Sequence, residues 1–348
     1  MKWVFILVGC ALSLQAEQAW THLKSDEEII FYPSLAQRVK GKTNLWRAEI
    51  RGNVFEPEKR WLMVAAFGKV MELETDDMTS AEAEMFGNRA RLFLVDHERG
   101  KKVFIRLGTN EFFVGKSAVD GRFAGEVTFS DANETGFRAV LGPGDKRLFR
   151  GRIFPVEAEG VSVISDIDDT IKITEVRDRK ATLRNTFMRE FEPVPGMAQV
   201  YLTATNEPNV SFHYVSASPW QLYEPLAGLV TSNGFPAGTF ELKEFRWKTR
   251  SFFSLFANPE KYKPGVIEPL LKQFPKRTFI LIGDSGERDP EVYGALARKF
   301  PEQILRILIR DVTSESSDAV RYQKAFRDVP PEKWQVFRET SEIKCLCE

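Results

Sequence analysis

The chain has 348 residues, 43% of them apolar, with 49 basic and 49 acidic side chains. That content excludes a disordered chain and provides for two cored domains. Zero net charge gives no whole-molecule field for nucleic acid or anionic lipid, so any attraction for anions is local.

At the amino terminus, Lys2, the apolar run Trp3 to Leu14 and Ala16 have the layout of a secretory signal peptide over residues 1–16. The run is too short to span a bilayer, so export to a periplasm or the exterior is expected. Leu7-Val8-Gly9-Cys10 resembles a lipoprotein box that would lipidate Cys10, a secondary reading because so few residues precede it; a buried strand is a third.

Residues 27–157 form a first domain. Alternating runs at 46–50, 91–95, 103–107, 123–127 and 148–154, broken by Gly, Asn and Asp, predict a β-rich, sandwich-like antiparallel structure. Thr79-Ser80-Ala81-Glu82-Ala83-Glu84 has the capping pattern of a helical insertion. Val114-Gly115-Lys116-Ser117 resembles a nucleotide-binding loop, but Asn110 stands where that loop needs glycine.

Residues 160–330 form a second domain with a different pattern. Solid apolar runs at 161–164, 212–215, 278–282 and 304–309 alternate with helical stretches at 219–230, 264–274 and 290–300. Such runs are strands buried on both faces, giving a parallel sheet with helices on both sides and a site beyond the strand carboxyl ends. His213, inside a buried strand, is expected to be structural, as is core packing for Trp220 and Tyr223. Arg184, Phe187, Met188 and Arg189 read as helix-surface residues, with a small cap as the alternative. Residues 331–348 are expected to be an exposed tail, and Cys345-Leu346-Cys347 has no His or further Cys beside it. Three cysteines make no disulfide framework, and three separated histidines disfavour a zinc hydrolase.

Three strands run directly into polar motifs: Ser165-Asp166-Ile167-Asp168-Asp169-Thr170, Ser216-Ala217-Ser218 and Gly283-Asp284-Ser285-Gly286-Glu287-Arg288-Asp289. Carboxylates at 166, 168, 169, 284 and 289 on one sheet edge would repel unless a hard divalent cation lay between them. Singly, Asp169 and Asp289 read equally well as turn or helix-cap residues.

These residues resemble the haloacid dehalogenase-like phosphatases, whose first motif is strand-D-x-D-x-T, matched by Asp166, Asp168 and Thr170. The resemblance implies a Rossmann-like parallel sheet, Asp166 as nucleophile forming an aspartyl-phosphate, and Asp168 as proton donor. It implies phosphate binding by Ser216, with Ser218 less favoured, and a phosphate-stabilising lysine at Lys263, with Lys261 and Lys243 as rivals. Mg²⁺ would be held by Asp166, Asp284, Asp289 and the backbone carbonyl of Asp168. The longer runs 163–172, 213–223 and 282–293 are similar to the phosphatidate phosphatase catalytic domain of the yeast actin-patch-protein type. That likeness implies hydrolysis of phosphatidate to diacylglycerol and phosphate. Residues 243–263, with six basic and two acidic side chains among Phe245, Trp247, Phe252, Phe253, Leu255 and Phe256, suit a membrane-touching lip or a packed amphipathic element equally. The alternatives are a phosphatase for soluble phosphomonoesters and a non-catalytic binding protein on the same scaffold. The expected partner is a phospholipid at a membrane surface, with no nucleic acid.

Overall fold

The structure is a computed structural model that describes residues 19–57, 60–70, 78–133, 135–244 and 259–346. The expected signal segment, Cys10, Cys347 and most of the expected lip lie outside the described residues. Among the described residues no helix is long and apolar enough to cross a membrane.

The first half contains β1 (Glu28–Tyr32), β2 (Ser34–Arg38), β3 (Trp46–Glu56), α1 (Trp61–Val70), α2 (Ser80–Arg91), β4 (Asp96–His97), β5 (Lys102–Leu107), β6 (Asn110–Lys116), β7 (Arg122–Phe129), β8 (Gly136–Ala139) and β9 (Arg150–Pro155). Its strands follow the order β1-β3-β2-β9-β8-β5-β6, with β4 and β7 also on β3. The sheet is mixed, because β2 and β9 pair in parallel. The whole β3 to β8 segment separates those two strands, and a long crossover of this kind permits parallel pairing. Their inward positions alternate, as in β3, and build a core around Trp46, Ile50, Ile105 and Val127. Lys116, of the sequence resembling a nucleotide-binding loop, ends β6. Thr79 and Glu82 complete a capping box at the start of α2.

One expected strand is absent. Arg91 ends α2, and residues 92–95 turn away from it, so that Phe93 packs on Phe67 and Phe187. Its apolar alternation serves a helix cluster instead of a sheet.

The second half is α/β: β10 (Glu159–Ser165), α3 (Arg179–Phe187), α4 (Met197–Thr203), β11 (Ser211–Pro219), α5 (Tyr223–Ser232), β12 (Thr239–Lys243), α6 (Pro259–Gln273), β13 (Lys276–Asp284), α7 (Asp289–Lys299), β14 (Ile304–Arg310), α8 (Val320–Ala325) and β15 (Trp334–Phe337). The six strands order as β12-β11-β10-β13-β14-β15, and every pairing is parallel. On β13, Phe279 and Leu281 enter one core while Ile280 and Ile282 enter the other, the signature of a strand covered on both faces. Phe187 and Met188 are buried in the core of Ile280 and Ile282, neither cap nor surface.

The segment after Pro330 is not an exposed tail. β15 is the sixth strand, and Leu346 is wholly buried, its amide donating to Thr203 Oγ1 at 3.2 Å. Interspersed polar residues concealed this edge in the sequence.

Candidate active site

The central strand β10 ends at Ser165, and the chain then turns through 166–176 in a loop organised by Asp169. Asp169 takes a left-handed backbone (φ 53°), uncommon without glycine. Its carboxylate compensates by accepting the amides of Thr174, Glu175 and Val176, each at 2.7 Å. Arg310 adds a bond to the Asp169 carbonyl at 2.7 Å. Asp169 therefore shapes the loop, the capping reading of that residue.

The turn sends Lys172 back toward Asp168. Its ammonium lies 2.9 Å from Asp168 Oδ1, which also accepts from Thr174 Oγ1 at 2.8 Å. From β11, the Ser216 and Ser218 hydroxyls both donate to Asp168 Oδ2, at 2.9 and 2.8 Å. Burial would raise the Asp168 pKa, but the Lys172 ammonium and these donors outweigh it and hold the carboxyl well below the usual carboxylate range. Lys172 was missed as a site residue by sequence reasoning, because its role depends on the turn at Asp169.

Asp166 faces the other way. Thr170 Oγ1 donates to its Oδ2 at 3.3 Å. Lys263, on α6 and fully buried, brings its ammonium to 2.9 Å from Asp166 Oδ1, an ion pair without hydrogen-bond geometry. The same ammonium donates to Glu287 at 3.0 Å and to Asp289. Lys261 is exposed and Lys243 ends β12, so Lys263 is the lysine in the acidic cluster. α6 starts at Pro259, five residues before the expected Pro264, which places Lys263 inside the helix.

At the end of β13, Asp284 Oδ1 accepts the amides of Gly286 and Glu287 at 2.6 and 3.1 Å. Asp284 Oδ2 is buried without a partner. Asp289 Oδ2 accepts the Asp284 amide at 3.2 Å. A side chain at 283 would place its Cβ 2.1 Å from that oxygen, so this position requires glycine. Burial, with the neighbouring acids, raises the pKa of both Asp166 and Asp284 well above the usual range; the same causes raise Glu287.

Asp166, Asp284 and Glu287 can each aim one oxygen so that all three lie within 4.8 Å of one another. Asp289, one of the expected metal ligands, is instead occupied by Lys263 and the Asp284 amide, and the Asp168 carboxylate by its own donors. Glu287 was missed; it sits in the same acidic run, one turn after Asp284.

The sequence comparisons cover this region. Residues 161–311 match the family described as phosphatidate phosphatase APP1, catalytic domain. Residues 161–311 are thus similar to an APP1-type catalytic domain. Over 167 residues the chain is 41% identical to phosphatidate phosphatase APP1 of Saccharomyces cerevisiae, covering 47% of this chain and 28% of that protein. Over 190 residues it is 31% identical to an uncharacterized protein of Schizosaccharomyces pombe, covering 53% and 31%. The chain thus spans about a third of the length of these relatives. A solved carbohydrate esterase overlaps 85% of this chain and 91% of its own at 12% identity, with a TM-score of 0.20 that carries no inference. The APP1-type segment contains every site residue named above. It stops before α8 and β15.

His213 and the aromatic pair lie outside the acidic cluster. His213 is buried between Thr239 Oγ1, at 2.7 Å, and Ser162 Oγ, at 3.3 Å, and burial pushes its pKa down to about 3. Trp220 packs on Tyr32 of β1 with ring centroids 4.2 Å apart.

Proposed function

We propose that this chain is a magnesium-dependent phosphomonoester hydrolase of haloacid dehalogenase-like type that converts phosphatidate to diacylglycerol and phosphate. The observation that carries the reading is the charge balance around Lys263. Asp166, Glu287 and Asp289 all pair with that one ammonium, Asp284 is buried beside Asp289, and Asp284 Oδ2 has no donor. Such a cluster is costly without further positive charge. A hard divalent cation held by Asp166, Asp284 and Glu287 fits the all-oxygen donor set. When bound it would favour ionised Asp166 and neutralise phosphate charge.

In the proposed reaction an Asp166 oxygen attacks phosphorus and the bond to the leaving alkoxide breaks, forming an aspartyl-phosphate. Asp168 gives its proton to the alkoxide oxygen. Water then attacks phosphorus, returning a proton to Asp168 and releasing phosphate from Asp166. Phosphoryl oxygens would compete for the Ser216 and Ser218 hydroxyls. That would strip donors from Asp168 Oδ2 and raise its pKa, so that Asp168 takes up from solvent the proton it gives to the alkoxide. Lys263 would stabilise charge on the phosphoryl group.

The substrate class follows from the similarity to phosphatidate phosphatase APP1 of Saccharomyces cerevisiae. Export from the cell, read from the first residues, belongs to the same proposal. The deciding experiment measures phosphate release from phosphatidate in mixed micelles and from a panel of soluble phosphomonoesters, each with Mg²⁺ or chelator. Phosphatidate is expected to be hydrolysed best, with activity lost in chelator and reduced at least about 10⁴-fold in Asp166→Asn. Near-normal turnover by Asp166→Asn would sink the mechanism, and preference for a soluble ester the substrate.

A further inference from the structure

Arg321, on α8, lies ten residues beyond the end of the APP1-type segment. Its guanidinium reaches back under the turn 284–289. One terminal nitrogen donates to the Ser285 carbonyl at 2.5 Å, and the other to the Glu287 carbonyl. Those carbonyls flank Gly286. On the opposite side of the turn, the amides of Gly286 and Glu287 point at Asp284 Oδ1. The orientation of Asp284 and Glu287 is thus set from both sides: by amides that hold one carboxylate, and by a fork that holds the carbonyls.

The fork is itself fixed. Glu291, in the first turn of α7, accepts Arg321 Nε at 3.0 Å and a terminal nitrogen at 3.2 Å, and Glu315 accepts at 3.3 Å. A planar guanidinium can serve two carbonyls and a carboxylate at once, which a lysine ammonium cannot do with the same geometry. Little slack exists in the turn. A Cβ on Gly286 would come within 2.9 Å of Asp284 Oδ1 and 3.0 Å of Val176 and Val312.

We propose that Arg321 is a positioning residue for the divalent-cation site, presenting Glu287 and the unpartnered oxygen of Asp284 toward Asp166. This rests on the reading that those three acids hold Mg²⁺. The test is isothermal titration of the full chain with MgCl₂, without substrate, for wild type, Arg321→Lys and Arg321→Gln, alongside a thermal melt of each. Both variants are expected to bind Mg²⁺ at least about tenfold more weakly while folded at the titration temperature. A residue that merely supports α8 would lower the melting temperature without moving the Mg²⁺ affinity, and affinities within twofold of wild type would overturn the proposal. If both substitutions at 321 prevent folding, Glu291→Gln takes their place: it removes the carboxylate charge orienting the fork and is expected to weaken Mg²⁺ about threefold. Unchanged affinity there also overturns the proposal. Failure of the wild type itself to bind Mg²⁺ would reject the cation site, and with it this role.

Discussion

Asp168 is surrounded by more donors than a surface carboxylate commands: Lys172, Thr174, Ser216 and Ser218 all reach it. Lys172 supplies the charge. Its ammonium is buried and lies 4.7 Å from the centroid of the Phe191 ring, over which Arg89 of α2 also lies, 3.7 Å away. Breaking a buried ion pair by removing one partner is expensive, because the survivor remains desolvated. Lys172→Met is therefore expected to cost about 3–5 kcal/mol of unfolding free energy, measured by urea denaturation. The sequence displays Asp166, Asp168, Ser216 and Asp284 because each stands at a strand end. Lys172 and Glu287 are harder to read there: the first acquires its role through a left-handed turn, the second through a bend that no periodicity marks.

Elements differ in legibility for a physical reason. β10, β11, β13 and β14 lie inside the sheet and read as solid apolar runs, whereas β12 and β15 are short edge strands with polar residues and escape that signal. In the mixed first sheet β3, β5, β7 and β9 were legible as alternating runs, yet the parallel β2 and β9 contact required knowledge of what the chain does in between. Just before β1, Glu27 is buried and bridges to Lys101 at 2.6 Å, tying the start of that strand to the approach of β5. Burial would raise its pKa, but the Lys101 ammonium and the Lys24 amide and ammonium outweigh it and bring it from 4.5 down to about 2. A depressed carboxyl pKa means that the unfolded chain binds more protons than the native one. The stabilisation is thus full above about pH 4.5 and fades as pH falls toward 2. Glu27→Gln is expected to lose about 2 kcal/mol at pH 7, with the gap to wild type closing across that acid range in pH-dependent denaturation.

At the scale of the whole molecule, the two halves grip one another on elements that neighbour the site. Arg51 of β3 pairs with Glu241 of β12 at 2.6 Å, Tyr32 packs on Trp220 just after the serine motif, and Glu82 of α2 pairs with Arg184 of α3 at 2.6 Å. The first half therefore braces the strand and helices beside the loops that carry the acidic cluster. On the far side, β15 performs a comparable service for β14 by taking up its outer row of backbone groups. A fragment ending at residue 311, where the family match ends, would leave that row open beside Ile307, Leu308 and Ile309. An uncapped, apolar strand is a template for another chain. Such a fragment is expected to self-associate in dynamic light scattering while the full chain does not, so a recombinant catalytic unit should retain the sequence through Leu346.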